Sequence, residues 1–265
     1  MAYKVWIHRL YFNLGREIRW RLAVSLTFAL LLGAGMLAPP AAANSHFISG
    51  LAQDQNRNTA QRIFEEAEAL RAQGTVKSMR QAVKKYEEAL LLCRAIGERQ
   101  GEAITLNNIG FVYYWLGEKQ KALDFLNQAL PLHRAGGDRR EEGTTLSNIG
   151  EVYASLGEKQ KALDFYTQAL PLRRAAGDRY GVAITLNNIG SAYFLLGEKQ
   201  KALDFLNQAL LIHRADGNRH EEGATLTNIG LVYDSLGEKQ KALDFYTGAL
   251  PLRREVGDRR GEAAT

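Results

Sequence analysis

Apolar residues recur at helical spacing along residues 101–260, and the stripes they form stop and restart on a fixed schedule. In residues 101–140, Leu106, Ile109, Tyr113 and Leu116 lie on one helical face and halt at Gly117. Ala122, Phe125, Ala129, Leu130 and Leu132 make a second stripe that ends near Gly137. The pattern predicts a pair of helices joined by a short turn. Nothing in it alternates as a half-buried strand would, so propeller repeats of similar length are excluded.

The same pair of stripes returns again and again. The segment Gly-Glu-Lys-Gln-Lys-Ala-Leu-Asp-Phe begins at residues 117, 157, 197 and 237, a period of 40. Full units therefore cover residues 101–140, 141–180, 181–220 and 221–260, and a degenerate unit, 58–100, aligns through Ala82, Ala89 and Gly97. Residues 261–265 restart the pattern once more. Asp138 with Glu141, Asn218 with Glu221, and Asn58 with Gln61 have the spacing of reciprocal helix caps, which places helix starts at those points. One such unit is too small to bury its apolar faces alone, so neighbouring units must stack. The first and third units agree at 30 of 40 positions, the second and fourth at 32, and the first and second at only 28. An 80-residue duplication follows from that alternation.

Leu106, Gly110, Tyr113, Ala122, Leu126 and Ala129 resemble the spacing of the tetratricopeptide repeat, with Gly110 and Ala122 as the small residues that let paired helices approach. The resemblance spans residues 58–265 and implies an all-α fold, a right-handed α-solenoid of stacked antiparallel helix pairs. The 40-residue period is similar to the longer variants in kinesin light chains and cell-polarity scaffolds. Pro131, Pro171 and Pro251 depart from the family pattern by falling inside the second helix, where each should delete a hydrogen bond and bend it. Leu211 replaces that proline in the third unit.

The resemblance also implies that the first helices line a concave groove through their second, fifth, sixth, ninth, twelfth and thirteenth consensus positions. The sixth position is Asn108, Asn148, Asn188 and Asn228, and an amide row can both donate to and accept from the backbone of an extended peptide. The units differ most at the last three of those positions, which hold Phe111, Tyr114 and Trp115 in the first unit and Glu151, Ala154 and Ser155 in the second. They hold Ser191, Phe194 and Leu195 in the third, and Leu231, Asp234 and Ser235 in the fourth. Residues every unit needs for folding cannot drift in this way, whereas residues facing a non-repetitive partner can. An apolar pocket is expected at Phe111, Tyr114 and Trp115, and a smaller one at Phe194. The expected function is a non-enzymatic scaffold that binds a protein or peptide partner.

Charge narrows the partner. The chain carries a formal +5, but residues 1–43 hold five basic residues against Glu17, so the remainder is near +1. That body lacks the basic footprint of a nucleic-acid binder. Residues 1–43 read as a signal peptide, with a basic stretch to Arg21, an apolar run from Leu22 to Ala38, Pro39-Pro40, and Ala41 and Ala43 before a cut at Asn44. Residues 44–57 would be a short linker. The expected location is exported, periplasmic or secreted, by the general secretory route. The alternative is an anchor formed by residues 22–38, the one case in which a membrane is involved.

Cys93 is the single cysteine, which excludes an intrachain disulfide. No phosphate loop, zinc-type cysteine pair or His-Glu-x-x-His helix occurs, so no catalytic residue, cofactor, metal or small-molecule substrate is expected. His213, Asp216 and His220 come nearest to a metal-ligand set but have no cysteine counterpart. Glu118, Lys119 and Lys121 read as a solvated turn and helix face. Residues 261–265 also allow two further readings. Exported bacterial arrays that look like this one often precede a caspase-like (CHAT) peptidase domain, which would make the chain the sensor part of an enzyme. An uncapped C-terminal end would instead allow self-association.

Overall fold

The computed structural model describes residues 41–255 and 257–264. The array occupies one compact unit, Gln53–Thr265. Its helices are α1 (Ala41–Ala72), α2 (Val76–Ile96), α3 (Arg99–Trp115), α4 (Lys119–Gly136), α5 (Arg139–Ser155) and α6 (Lys159–Ala175). They continue as α7 (Arg179–Leu195), α8 (Lys199–Asp216), α9 (Arg219–Ser235), α10 (Lys239–Glu255) and the short α11 (Arg259–Ala264). Consecutive helices pack as antiparallel pairs, and each pair stacks on the next in a right-handed solenoid. No strand occurs among the described residues.

The first helix starts earlier than the cap signal at Asn58 places it, because α1 begins at Ala41 and Asn58 lies inside it. Residues 44–57 contain no proline, and their C-terminal part is tied down: Gln53 Nε2 donates to the Ile96 carbonyl at 3.1 Å and Arg57 reaches Glu98 at 3.2 Å. This tethered, proline-free segment is helical where a linker was expected. Of the signal-peptide reading of residues 1–43, residues 1–40, which include the apolar run, lie outside the described residues. Among the described residues no helix is long and apolar enough to cross a membrane.

Within each unit the first helix presses against the second through glycine. A Cβ on Gly110 would come within 2.7 Å of Leu126 Cγ, and one on Gly150 within 2.6 Å of the Tyr166 ring. Leu106, Ile109 and Leu126 are fully buried around these crossings, as are Leu146, Ile149, Leu186, Ile189 and Leu206. Second helices end on glycines such as Gly137, whose φ of 70° lets the chain turn left-handed and return a hydrogen bond to Arg134. Asp138 and Asp178 then cap the next helices, accepting from the amides of Glu141 at 3.1 Å and Gly181 at 3.0 Å. Asn218 makes no such side-chain bond, and Glu221 is engaged by the Tyr180 hydroxyl at 2.6 Å instead of reaching back to it. Helices α4, α6 and α10 run on through Pro131, Pro171 and Pro251.

The Gly-Glu-Lys-Gln-Lys motif is structural rather than simply solvated. Lys121 and Lys161 sit over the rings of Tyr113 and Tyr153 at 5.1 and 5.3 Å, and those rings stack on Phe125 and Phe165. Lys119 donates to the Ser155 carbonyl, Lys159 to that of Leu195 at 2.9 Å, and Lys199 to that of Ser235 at 2.5 Å. Each lysine thus caps the first helix of the following unit, where a cation complements the carbonyl end of the dipole.

Candidate binding groove

The asparagine row exists as a row, and it stitches units together. Asn108 Nδ2 donates to Glu68 at 3.0 Å, and Asn148 Nδ2 to Asn107 Oδ1 at 3.1 Å. Asn188 Nδ2 donates to Glu151 at 3.4 Å, and Asn228 Nδ2 to Asn187 Oδ1 at 3.1 Å. Every amide therefore gives one N–H to the first helix of the preceding unit. Glu68, which the turn glycines Gly74 and Gly117 align with Phe111 and Glu151, also accepts from the Tyr86 hydroxyl. Asn107 and Asn187 were not singled out by sequence, yet each also accepts from a threonine of the next unit, Thr145 at 3.1 Å and Thr225 at 3.2 Å. Their presence in alternate units, against Ser147 and Thr227 in the others, is the signal that could have found them.

The variable positions gather at one place, though not where sequence drift alone places it. A concave pocket of about 440 Å³ opens between the ends of α3, α5 and α7. Tyr114 and Trp115 line it together with the small Ala154 and Ser155, with Ser191 and Leu195, and with Glu151, Lys159, Tyr166 and Asn188. The pocket is therefore centred on the second unit, because the small residues there leave the space that flanking units fill with larger ones. Trp115 remains 59% exposed and is braced edge-on by Phe111 at 6.0 Å and by Tyr114 at 5.8 Å.

Phe111 and Phe194 do not line this pocket. Phe111 supports Trp115 and lies under the Arg71 guanidinium at 5.8 Å, while Phe194 packs against the core around Leu203 and Leu206. Asn188 is the member of the amide row that reaches the cavity. Its partner Glu151 is part-buried, and desolvation pushes its carboxyl above the usual range, opposed by the Asn188 hydrogen bond and the charge of Arg173.

Other residues singled out by sequence are held elsewhere. His213 is fully buried, Asp216 accepts from Arg179 at 2.7 Å, and His220 stands 4.0 Å from Asp258, so the three do not converge. Cys93 is buried beside a separate cavity of about 290 Å³ with Phe64 and Ile96, where burial and the nearby Glu98 and Glu102 push its thiol pKa up.

Stacked helix pairs with an inner face of first helices define a helical-repeat protein. The tetratricopeptide repeat model matches residues 67–135, 141–215 and 181–255, and the chain belongs to that family. No curated protein matches it in sequence. Among solved structures it is similar to BtubC (BKLC) from P. vanneervenii, at 22% identity and a TM-score of 0.61, covering 78% of this chain and 92% of that one. It is also similar to a Rap protein solved in complex with competence and sporulation factor, at 18% identity and a TM-score of 0.66, covering 75% of this chain and 55% of that one. A putative kinesin light chain of nearly identical repeats from Podosopora anserina matches at 15% identity and a TM-score of 0.60, covering 75% and 98%. At these identities the likeness is one of fold.

Proposed function

We propose that the chain is a non-catalytic, exported scaffold whose first helices bind an extended segment of a partner protein, anchored in the pocket beside Trp115. The observation that carries this reading is the coincidence of a concave cavity, a braced and exposed indole, and the positions at which the units differ. Large rigid aromatics beside a pocket supply most of the energy in protein recognition at low entropic cost. The Rap protein's complex with competence and sporulation factor is in keeping with a binding role for such an array. Export rests on the basic and apolar N-terminal stretch alone.

The test is selection of peptides from a random phage-displayed library on the full chain, followed by the same measurement on Trp115→Ala and on Ala154→Trp, which fills the pocket. Helicity by circular dichroism should persist in both. Affinity for the selected peptides should fall by at least about tenfold, the loss of one anchor worth roughly 1.4 kcal/mol or more. Undiminished binding in both variants would remove the pocket from the function.

A further inference from the structure

We infer that the pocket between α3, α5 and α7 recognises an arginine side chain of the bound segment, seated between the Trp115 indole and the Glu151 carboxylate. The inference rests on the groove reading above and names the chemistry that the groove selects.

Glu151 is the starting observation. At its position the other full units carry Phe111, Ser191 and Leu231, so the second unit alone places a charge there. Its carboxylate accepts one hydrogen bond from Asn188 and enters no ion pair among the described residues. A part-buried carboxylate with one weak donor is under-satisfied. The cations near it are already committed. Arg173 turns to Asp178 at 3.7 Å and to the Thr144 hydroxyl at 3.5 Å, and Lys159 gives its ammonium to the Leu195 carbonyl.

The surroundings favour positive charge as well. The pocket is built from the last turns of α3, α5 and α7, through Trp115, Ser155 and Leu195, and each helix presents the negative end of its dipole there. Lys119 and Lys159 show that these ends take cations, since they cap α5 and α7 in this way. An acidic side chain would meet Glu151 and the C-terminal end of α3, while the ends of α5 and α7 are already held by Lys119 and by Lys159, the second of which lines the pocket. An arginine meets an anion, an exposed indole and a cavity with room for its planar head.

Arginine is preferred over lysine for a physical reason. A guanidinium sheds water more readily than an ammonium, stacks on an aromatic face and can hydrogen-bond a carboxylate along one planar edge. The groups facing Glu151 are Asn188, Tyr114, Tyr166 and Arg173. Because burial raises the Glu151 carboxyl, its ionised form is lost at a higher pH than that of an ordinary glutamate, and the arginine preference should fade as the pH falls.

The experiment reads the sequences selected from the same random library on the full chain at neutral pH, with Glu151→Gln as the isosteric variant. Peptides that depend on Trp115 should share an arginine, and their affinity should drop about tenfold or more on Glu151→Gln. Replacing that arginine by leucine should weaken binding to the native chain by a similar factor and leave binding to Glu151→Gln nearly unchanged. Trp115-dependent peptides with no basic preference, or with lysine serving equally well, would overturn the inference and leave the groove reading standing. Recovery of no Trp115-dependent peptide at all would overturn both. An unchanged circular dichroism spectrum excludes misfolding of the glutamine variant as the cause of a loss.

Discussion

The second and fourth units solve one packing problem differently from the first and third, and the contrast shows how near-identical repeats tolerate a buried charge. Near the end of the second helix the even units bury Arg173 and Arg253, and the odd units bury His133 and His213. Arg253 bonds Asp258 at 2.6 Å and the Thr227 hydroxyl at 3.0 Å. Room for the longer side chain comes from two glycines. A Cβ on Gly143 would lie 2.9 Å from Arg173 Cγ, and one on Gly181 would lie 2.1 Å from Arg173 Nη1. Gly223 and Gly261 flank Arg253 in the same way. Around the shorter histidines those positions hold Ala103 and Glu141, and Ala183 and Glu221. Neither ring nitrogen of His213 has a hydrogen-bond partner among the described residues. The lesson is that a buried residue and the two positions that make space for it change as a set.

The sharpest way to break this contrast is to give both slots the same apolar residue. Arg173→Leu strips Asp178 of its buried cation and should lower stability in chemical denaturation by about 3 kcal/mol. His213→Leu removes a buried polar ring without hydrogen bonds and should be neutral or stabilising by up to about 1 kcal/mol. Equal losses at the two sites would show that the slots are energetically alike.

A smaller effect tests the glycines. Gly143→Ala should cost about 1–2 kcal/mol, since the methyl overpacks the Arg173 stem, and adding Arg173→His should recover most of that loss by making the unit resemble its odd neighbours. Failure of the second change to rescue the first would separate the glycine from the arginine.

The smallest expected effect is in pH dependence. Burial lowers the pKa of His133 and of His213 below the ordinary 6.5, so the unfolded chain takes up protons that the folded chain refuses as pH falls through that value. Stability supplied by the neutral rings is complete above about pH 6.5 and declines below it toward the folded-state values. The double variant His133→Phe and His213→Phe should flatten the decline between neutral and mildly acidic pH in thermal melts. A slope equal to that of the native chain would assign the dependence to other groups.

The helix pairs and their stacking were legible because Leu106, Ile109, Ala122 and their counterparts repeat at helical spacing within a 40-residue period. The amide row was legible as a pattern but not in its contacts. Asn148 bonds Asn107 and Asn188 bonds Glu151, and neither pairing follows from spacing on one helix because each depends on how two units stack. The pocket shows the same boundary. Sequence drift pointed to Phe111, Tyr114, Trp115 and Phe194, and of these Tyr114 and Trp115 line the cavity beside the small Ala154 and Ser155, while Phe111 and Phe194 do not. The inter-unit lysines escaped for a related reason, since a charged residue in a polar turn looks solvated until the next unit's helix end is placed beside it. The part of α1 before Asn58 is held at Gln53 and Arg57 by Ile96 and Glu98, contacts distant in sequence from the segment they brace.

The lysine bridge from each turn to the next helix end has a mechanical consequence. Lys119, Lys159 and Lys199 each span 36 residues to their acceptor, so successive junctions are fastened by the same link at the same place. Pulled from its ends, such a rod should behave as a chain of matched clasps. Extension would proceed by rips of equal contour length, one per unit, at closely similar forces.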